Sequence, residues 1–246
     1  MKVSVIIPAL NEEATVGGVV RAVLIDAPFE VIVIDADSTD DTAAEAARAG
    51  ARVVNWREVF PELEPIPGKG ESLWRGVAAA SGDVVVFVDA DLVDPPVGMV
   101  HALAAPFADP VIHLVKASYA RLLGEDPAAG GRVTELTAKP LLRLLHPRLA
   151  DIDQPLAGEY ALRRSSALDL PFVAGYGVEA GLLVDVGERW GRASISEVPL
   201  PPRRHRNRPL SELSPMAETV AAVLLQRAGL SRSGFPGERP PLSDRI

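Results

Sequence analysis

Four apolar runs mark the first 92 residues: VSVIIPAL (3–10), FEVIVIDAD (29–37), RVVNW (52–56) and DVVVFVDADL (83–92). Each is nearly continuous rather than alternating and is rich in Val and Ile. That pattern predicts strands buried on both faces. Helical segments lie between them. NEEATVGGVVRAVLI (11–25) places acidic residues in its first turn, where the helix dipole favours them. STDDTAAEAARAGA (38–51) opens on a capping Ser or Thr and closes on Gly50, and PGKGESLWRGVAAASG (67–82) is a glycine-rich loop feeding a helix. Strand and helix in alternation predict an α/β fold, a Rossmann-like, mostly parallel sheet with helices on both faces. In such sheets ligands bind beyond the carboxyl ends of the strands.

The second half is less regular. VIHLVKASYARL (111–122) reads as a strand, and GRVTELTAKPLLRLLHPRL (131–149) as a helix interrupted near Pro140. QPLAGEYALRRSSALDLPF (154–172) mixes strand and helix. GYGVEAGLLVDVGERWG (175–191) is a helix that starts near Tyr176 and holds Glu179 in its early turns. ISEVPLPPRRHRNRPLSEL (195–213) is a strand followed by a basic loop, and MAETVAAVLLQRAGL (216–230) is a closing helix. Residues 231–246 are rich in Pro and Gly and are expected to be disordered. With no repeat and no clear linker, residues 1–230 read as one domain with a second lobe grown onto it.

Composition narrows the functional classes. The formal net charge of −8 argues against a general nucleic-acid binder, whose affinity rests on Lys and Arg meeting phosphates. The absence of cysteine excludes disulfides and thiolate metal sites and fits a reducing cytoplasm. No run of apolar residues is long enough for a membrane span, and the N-terminal one is too short for a secretion signal.

The candidate chemistry gathers at the strand ends. Asp89 and Asp91 end the fourth run two residues apart, so in an extended strand both carboxylates face one crevice. Like charges that close repel, and a hard divalent cation such as Mg²⁺ would relieve them; a solvated strand end is the plainer alternative. PALNEE follows the first strand and fits a nucleotide-holding loop, or helix capping by Asn11. Asp35 offers hydrogen bonds to a uracil or ribose, or an N-cap. Lys69 stands between two glycines, as a mobile cation where backbone approaches a ligand, or in a plain surface turn. RRHRNRPL clusters Arg203, Arg204, Arg206 and Arg208 around His205 and Asn207, which in an acidic chain points to an anion as partner. GGRVTEL offers a second anion site through the Gly131 backbone, the Arg132 guanidinium and the Thr134 hydroxyl. His101, His113 and His146 lack a matching context and read as structural.

The order PALNEE, IDADSTDDT, GKGESLWRG, VDADL resembles the nucleotide-sugar half of a GT-A glycosyltransferase. GGRVTEL, QPLAGEYA, GYGVEAGLL and HRNRPL are more specific. Together they resemble the glucosyl-3-phosphoglycerate synthases, retaining enzymes of glucosylglycerate and methylglucose polysaccharide synthesis, from about residue 3 to 230. The resemblance implies a GT-A fold with a nucleotide-sugar half over about 1–92 and an acceptor-binding half over about 93–230. It implies UDP on Pro8, Ala9, Leu10, Glu12, Asp35, Ala36 and Lys69. It implies Mg²⁺ or Mn²⁺ on Asp91 and His205, with Asp89 on the sugar side and Leu156 and Glu179 facing glucose. Gly131, Arg132, Val133, Thr134 and Asn207 would receive 3-phosphoglycerate, with Tyr176 and Arg203 lining that pocket. Asp89, Lys69 and Glu179 would carry the reaction. A homodimer in the cytoplasm is implied as well. Ala36 and Ala90 stand where the family usually has Ser, and the segment before Gly131 is short. Rival readings are another nucleotide sugar such as GDP-mannose, D-glycerate or a polyprenyl phosphate as acceptor, a nucleotidyltransferase, and a non-catalytic sugar-nucleotide-binding protein.

Overall fold

A computed structural model describes residues 1–119, 121–122, 131–204, 210–230 and 236–246. The apolar runs form β1 (Val3–Ala9), β2 (Glu30–Asp35), β3 (Arg52–Asn55) and β4 (Val84–Phe87), and α1 (Val16–Ile25), α2 (Thr42–Ala49) and α3 (Lys69–Ala79) connect them. The chain continues through α4 (Met99–Ala104), β5 (Leu114–Ser118), β6 (Arg121–Leu122), α5 (Lys139–Leu145) and β7 (Tyr160–Arg163). It ends with α6 (Arg164–Leu168), β8 (Phe172–Val173), α7 (Val178–Trp190), β9 (Ile195–Pro199), β10 (Arg203–Arg204), α8 (Leu210–Arg227) and β11 (Glu238–Arg239). The central sheet has the order β3-β2-β1-β4-β7-β5-β9. All its neighbours pair parallel except β7, which runs antiparallel to both β4 and β5.

Alternation along each strand feeds two cores. Ile6, Ile32, Ile34, Val85, Phe87 and Tyr160 face α3 and α7. Val5, Ile7, Val31, Val33, Val84 and Val86 face α1 and α4. Ile6, Ile7, Ile32 and Ile34 are all fully buried, and each contributes roughly 1.5–3 kcal/mol of burial. This two-sided demand explains why the runs are continuous in sequence. Gly76 lets α3 lie on β1, since a Cβ there would sit 2.4 Å from a methyl of Ile6.

Several local expectations are corrected. The first helix starts at Val16, with no acidic residue in its first turn. Asn11 takes φ +55°, and its Oδ1 accepts from Thr39 N at 2.9 Å instead of capping the helix. Glu12 N donates to Thr42 Oγ1 (2.7 Å), and Glu13 Oε2 accepts from Asp41 N (3.0 Å). These acids and amides stitch the loop after β1 to the loop after β2, which is why they leave the helix. Strand β4 ends at Phe87, so Asp89 and Asp91 lie beyond the ladder and strand periodicity does not orient them. Lys69 opens α3 rather than riding a loose glycine loop. Pro140 does not interrupt one helix; it sits near the start of α5, after a π-helical turn, Thr134–Ala138.

Residues 236–246, expected to be disordered, pack on the protein instead. β11 pairs antiparallel with β8, Leu242 is fully buried, and Trp74 Nε1 donates to Pro240 O at 3.0 Å. Proline-rich composition signals a lack of helix and ladder partners, yet a short edge strand with one buried Leu meets neither obstacle.

Candidate active site

Parallel pairing brings the ends of β1, β2, β3 and β4 to one edge of the sheet. Ala9 lies opposite Asp35, Asp35 opposite Asn55, and Ile6 opposite Phe87. Because β7 runs the other way, it starts at this same edge, with Tyr160 opposite both Phe87 and Lys116. Residues 154–159 therefore cross the rim just before entering the sheet.

The centre of the rim is an ion cluster. Lys69 Nζ lies 2.5 Å from Asp89 Oδ1 and 2.6 Å from Glu179 Oε1. All three side chains are largely shielded, at 14%, 24% and 7% exposure respectively. Three separate elements meet here: the start of α3, the loop after β4 and the first turn of α7. Glycines make the meeting possible. A Cβ on Gly158 would fall 2.1 Å from Asp89 Oδ2, so only glycine lets that carboxylate lie against the backbone before β7. A Cβ on Gly70 would fall 1.8 Å from Val173 O, so α3 presses directly on β8, which leads into α7.

Burial alone pulls the Lys69 ammonium down, but the Asp89 and Glu179 carboxylates outweigh it and hold Lys69 well above the usual lysine range. It is therefore a fixed cation at neutral pH and not a base. Behind it, burial and then the Glu179 charge push the Tyr160 hydroxyl well above the usual tyrosine range. That hydroxyl is fully buried and has no hydrogen-bond partner among the described residues. The cation that Asp89 needs is thus supplied in part by the protein itself.

Along the rim, Asp35 closes β2 and is 6% exposed. Its Oδ2 accepts from Ser38 N at 3.3 Å and Asn55 Nδ2 at 3.4 Å, whereas Oδ1 is buried without a partner among the described residues. An orphaned buried acceptor costs about 1–3 kcal/mol unless a donor meets it, so the site suits an N–H or hydroxyl of a bound molecule. Pro8 and Ala9 end β1, Leu10 is exposed, and Ala36 N bonds Ala9 O at 2.9 Å. These residues and Asp35 form one continuous wall.

The remaining expected residues divide. Leu156 is half-buried on the rim segment before β7, and Tyr176 is exposed just ahead of α7. Gly131 takes φ +74°, and Thr134 is buried at the head of the π turn, which packs against α8. Val133 belongs to the core. Arg203 lies in β10, opposite Arg121 of β6. His205 and Asn207 lie outside the described residues. Among the described residues no three His, Asp or Glu side chains form a ready-made metal cage. A partly exposed Asp91 at the mouth of the rim still fits Mg²⁺ or Mn²⁺, which bind through one or two carboxylates plus substrate phosphates.

The sequence reading passed over Gly158, Tyr160, Glu71 and Arg75. Glu71 and Arg75 are both fully buried and paired at 2.8 Å, and their i,i+4 spacing was a visible signal. Gly158 and Tyr160 lay in plain view within QPLAGEYA, but nothing local marks a glycine as the floor beneath a distant carboxylate. Of the other histidines, His146 Nε2 lies 3.1 Å from Leu224 O within the core, and His113 stacks on Trp190 at 4.4 Å.

Comparison with known proteins gives a consistent picture. Residues 4–164 match the model of Glycosyl transferase family 2. Glucosyl-3-phosphoglycerate synthase of Mycolicibacterium smegmatis is 50% identical over 243 residues, which cover 94% of this chain and 79% of that protein. The Petrotoga mobilis protein of that name is 41% identical over 238 residues, covering 92% and 73%. The crystal structure of the Mycobacterium tuberculosis synthase with Mn²⁺, UDP-glucose and phosphoglyceric acid superposes with a TM-score of 0.91 at 45% identity, covering 100% of this chain and 91% of that one. A complex of that synthase with Mn²⁺, UDP and glucosyl-3-phosphoglycerate also scores 0.91 at 45% identity, covering 100% and 92%.

Proposed function

Because the chain belongs to Glycosyl transferase family 2 and, within it, to the glucosyl-3-phosphoglycerate synthases, we propose that it moves glucose from UDP-glucose to the 2-hydroxyl of 3-phosphoglycerate and releases UDP. The observation that carries this reading is the Lys69 ammonium gripping Asp89 and Glu179 on the rim that also bears the unpartnered Asp35 Oδ1. Part of that rim asks for a donor from a nucleoside, and its centre presents fixed charges to a sugar.

Asp35 accepts from the uracil or ribose, while Pro8, Ala9, Leu10, Glu12 and Ala36 flank the nucleoside. Asp91 and His205 would hold a divalent cation, which would supply positive charge for a diphosphate. Asp89 and Glu179, held in place by Lys69, accept from glucose hydroxyls, with Leu156 against the sugar. Their charge also favours the positive character that builds on the anomeric carbon. Lys69 counters the negative charge of the departing UDP. Gly131, Arg132, Val133 and Thr134 orient the acceptor phosphate and carboxylate, together with Tyr176, Arg203 and Asn207.

The bond from the anomeric carbon to the phosphate oxygen breaks, and the bond to the acceptor 2-oxygen forms on the same face. The acceptor proton passes to the leaving phosphate oxygen, so the configuration is retained. This route needs no protein base, in keeping with a Lys69 that stays protonated. On this reading residues 1–92 form the donor half and residues 93–230 the acceptor half of one domain. Among the described residues no helix is long and apolar enough to cross a membrane. We place the protein in the cytoplasm, where phosphorylated acids and nucleotide sugars meet, as a homodimer; sedimentation tests the latter.

The test is UDP release from UDP-glucose and Mg²⁺ with 3-phosphoglycerate, D-glycerate or no acceptor. Release that requires 3-phosphoglycerate and disappears in Asp91→Ala supports the reading. Equal release with D-glycerate, or none with either, overturns it. The anomeric proton coupling of the product decides retention.

A further inference from the structure

The closing segment carries charged groups that the reaction does not use. It touches both elements that bring Lys69 and Glu179 together. On one side β11 pairs with β8, Arg239 opposite Phe172 and Glu238 opposite Val173. Ala174 N also donates to Gly237 O at 2.9 Å. Strand β8 then runs directly into α7, whose second residue is Glu179. On the other side Arg239 grips α3: Nε donates to Glu71 Oε2 at 2.7 Å and Nη2 to Glu71 Oε1 at 2.8 Å. The same guanidinium lies 5.4 Å from the centre of the Trp74 ring and reaches Glu64 O at 2.5 Å. Arg227 continues the clasp by bonding Asp185 of α7 and Glu238 of β11.

Glu71 stands two residues after Lys69 and is fully buried. Its own amide donates to Ala174 O at 3.0 Å, directly joining α3 to the residue after β8. Arg75 already neutralises Glu71 from within the same helix. It also donates to the carbonyls of Trp56 (2.8 Å) and Leu63 (2.8 Å). Charge balance on Glu71 therefore does not require Arg239. What Arg239 adds is a two-pronged, planar link between the start of α3 and the strand beside β8, the geometry that fixes orientation as well as distance.

We propose that Arg239 is a positioning residue for the sugar-transfer step: by clamping Glu71 while β11 holds β8, it keeps α3 seated against the β8–α7 segment and so keeps Lys69 in contact with Asp89 and Glu179. The activity readout rests on the proposed function; the exchange readout below does not. A displacement of a reacting group by about 1 Å can cost on the order of a hundredfold in rate, so slack at this clasp is felt in turnover.

The experiment compares the full-length parent with Arg239→Met, which keeps the stem and removes the charge, and Arg239→Lys, which keeps the charge but loses the fork. Steady-state turnover, UDP binding by calorimetry and backbone hydrogen exchange are measured on each. Arg239→Met is expected to lower kcat by about tenfold or more. Its affinity for UDP should fall by a smaller factor than kcat, because Asp35 on β2 is untouched and only the Lys69 contact with UDP is disturbed. Exchange should quicken at the Glu71 amide and over residues 172–180, while β1 and β2 keep their protection. Arg239→Lys should fall between the two. A kcat within about twofold of the parent in Arg239→Met, or faster exchange spread evenly over β1 and β2, overturns the proposal. If the parent itself transfers no glucose, the functional reading fails. The Glu71 amide then still decides whether Arg239 holds α3 against β8.

Discussion

Lys69→Met is the sharpest perturbation of the rim. It keeps the length of the side chain and removes the cation that bridges Asp89 and Glu179. Both carboxylates bond the same nitrogen, at 2.5 and 2.6 Å, so without it they face each other across a small gap. Two like charges about 5 Å apart repel by about 3 kcal/mol at an effective dielectric of about 20. That agrees with the roughly 3–5 kcal/mol lost when one partner of a buried ion pair is removed. Little screening reduces it, since Glu179 is 7% and Asp89 24% exposed.

The loss also has a pH signature. In the parent, Lys69 is raised above the usual lysine value. Its stabilising charge is therefore complete below that value and is lost only as pH rises through the higher folded one, so its contribution is flat from about pH 5 to 8. In the variant, mutual repulsion gives one carboxyl of the pair a folded pKa above its unfolded value. The folded state then binds more protons, and the variant recovers stability as pH falls. Urea unfolding of both proteins should show a deficit of about 3 kcal/mol near pH 8 that shrinks near pH 5.5. A deficit below about 1 kcal/mol, or one equal at both pH values, would refute the ion cluster as described.

Three further outcomes follow from single contacts. Asp35→Asn keeps the shape but replaces a charged acceptor with an amide; UDP affinity by calorimetry should fall about tenfold, and unchanged affinity would detach Asp35 from the nucleoside. Gly158→Ala drives a methyl to 2.1 Å from the Asp89 carboxylate, which must swing away from Lys69. Breaking the Lys69–Asp89 pair should cost up to about 3 kcal/mol in unfolding and about tenfold in kcat; unchanged kcat would remove Asp89 from the reaction. Tyr160→Phe deletes a fully buried hydroxyl that has no partner, so unfolding free energy should stay level or rise by up to about 1 kcal/mol. A larger loss would mean that the hydroxyl is bonded in solution.

The parallel half was legible because β1, β2 and β4 are buried from both sides, and only unbroken Val and Ile runs satisfy that. The strand ends were legible only to within a residue or two: Asp35 is the last ladder residue of β2, whereas β4 stops at Phe87, before Asp89 is reached. Helix starts were less so. Glu12 and Glu13 look like first-turn acids, yet they answer to donors in the loop after β2, which no local pattern reveals. Residues 236–246 misled because composition reports what a segment lacks, not which edge it will meet. Glu71 was missed since a buried carboxylate and an exposed one look alike until Arg239 arrives from the far end of the chain.

By itself, then, the sequence determined the alternation of strand and helix, the rim on which polar residues collect, and the motifs shared with the sugar transferases. These follow from periodicity and residue chemistry, which are properties of neighbours along the chain. Only the tertiary structure decided that Lys69 serves Asp89 and Glu179 together, that Gly158 and Gly70 make room for that meeting, and that the closing segment clasps it. Those contacts join residues far apart in the chain, and they exist because strands of opposite direction meet at one edge and close packing leaves space there only where a Cβ is missing.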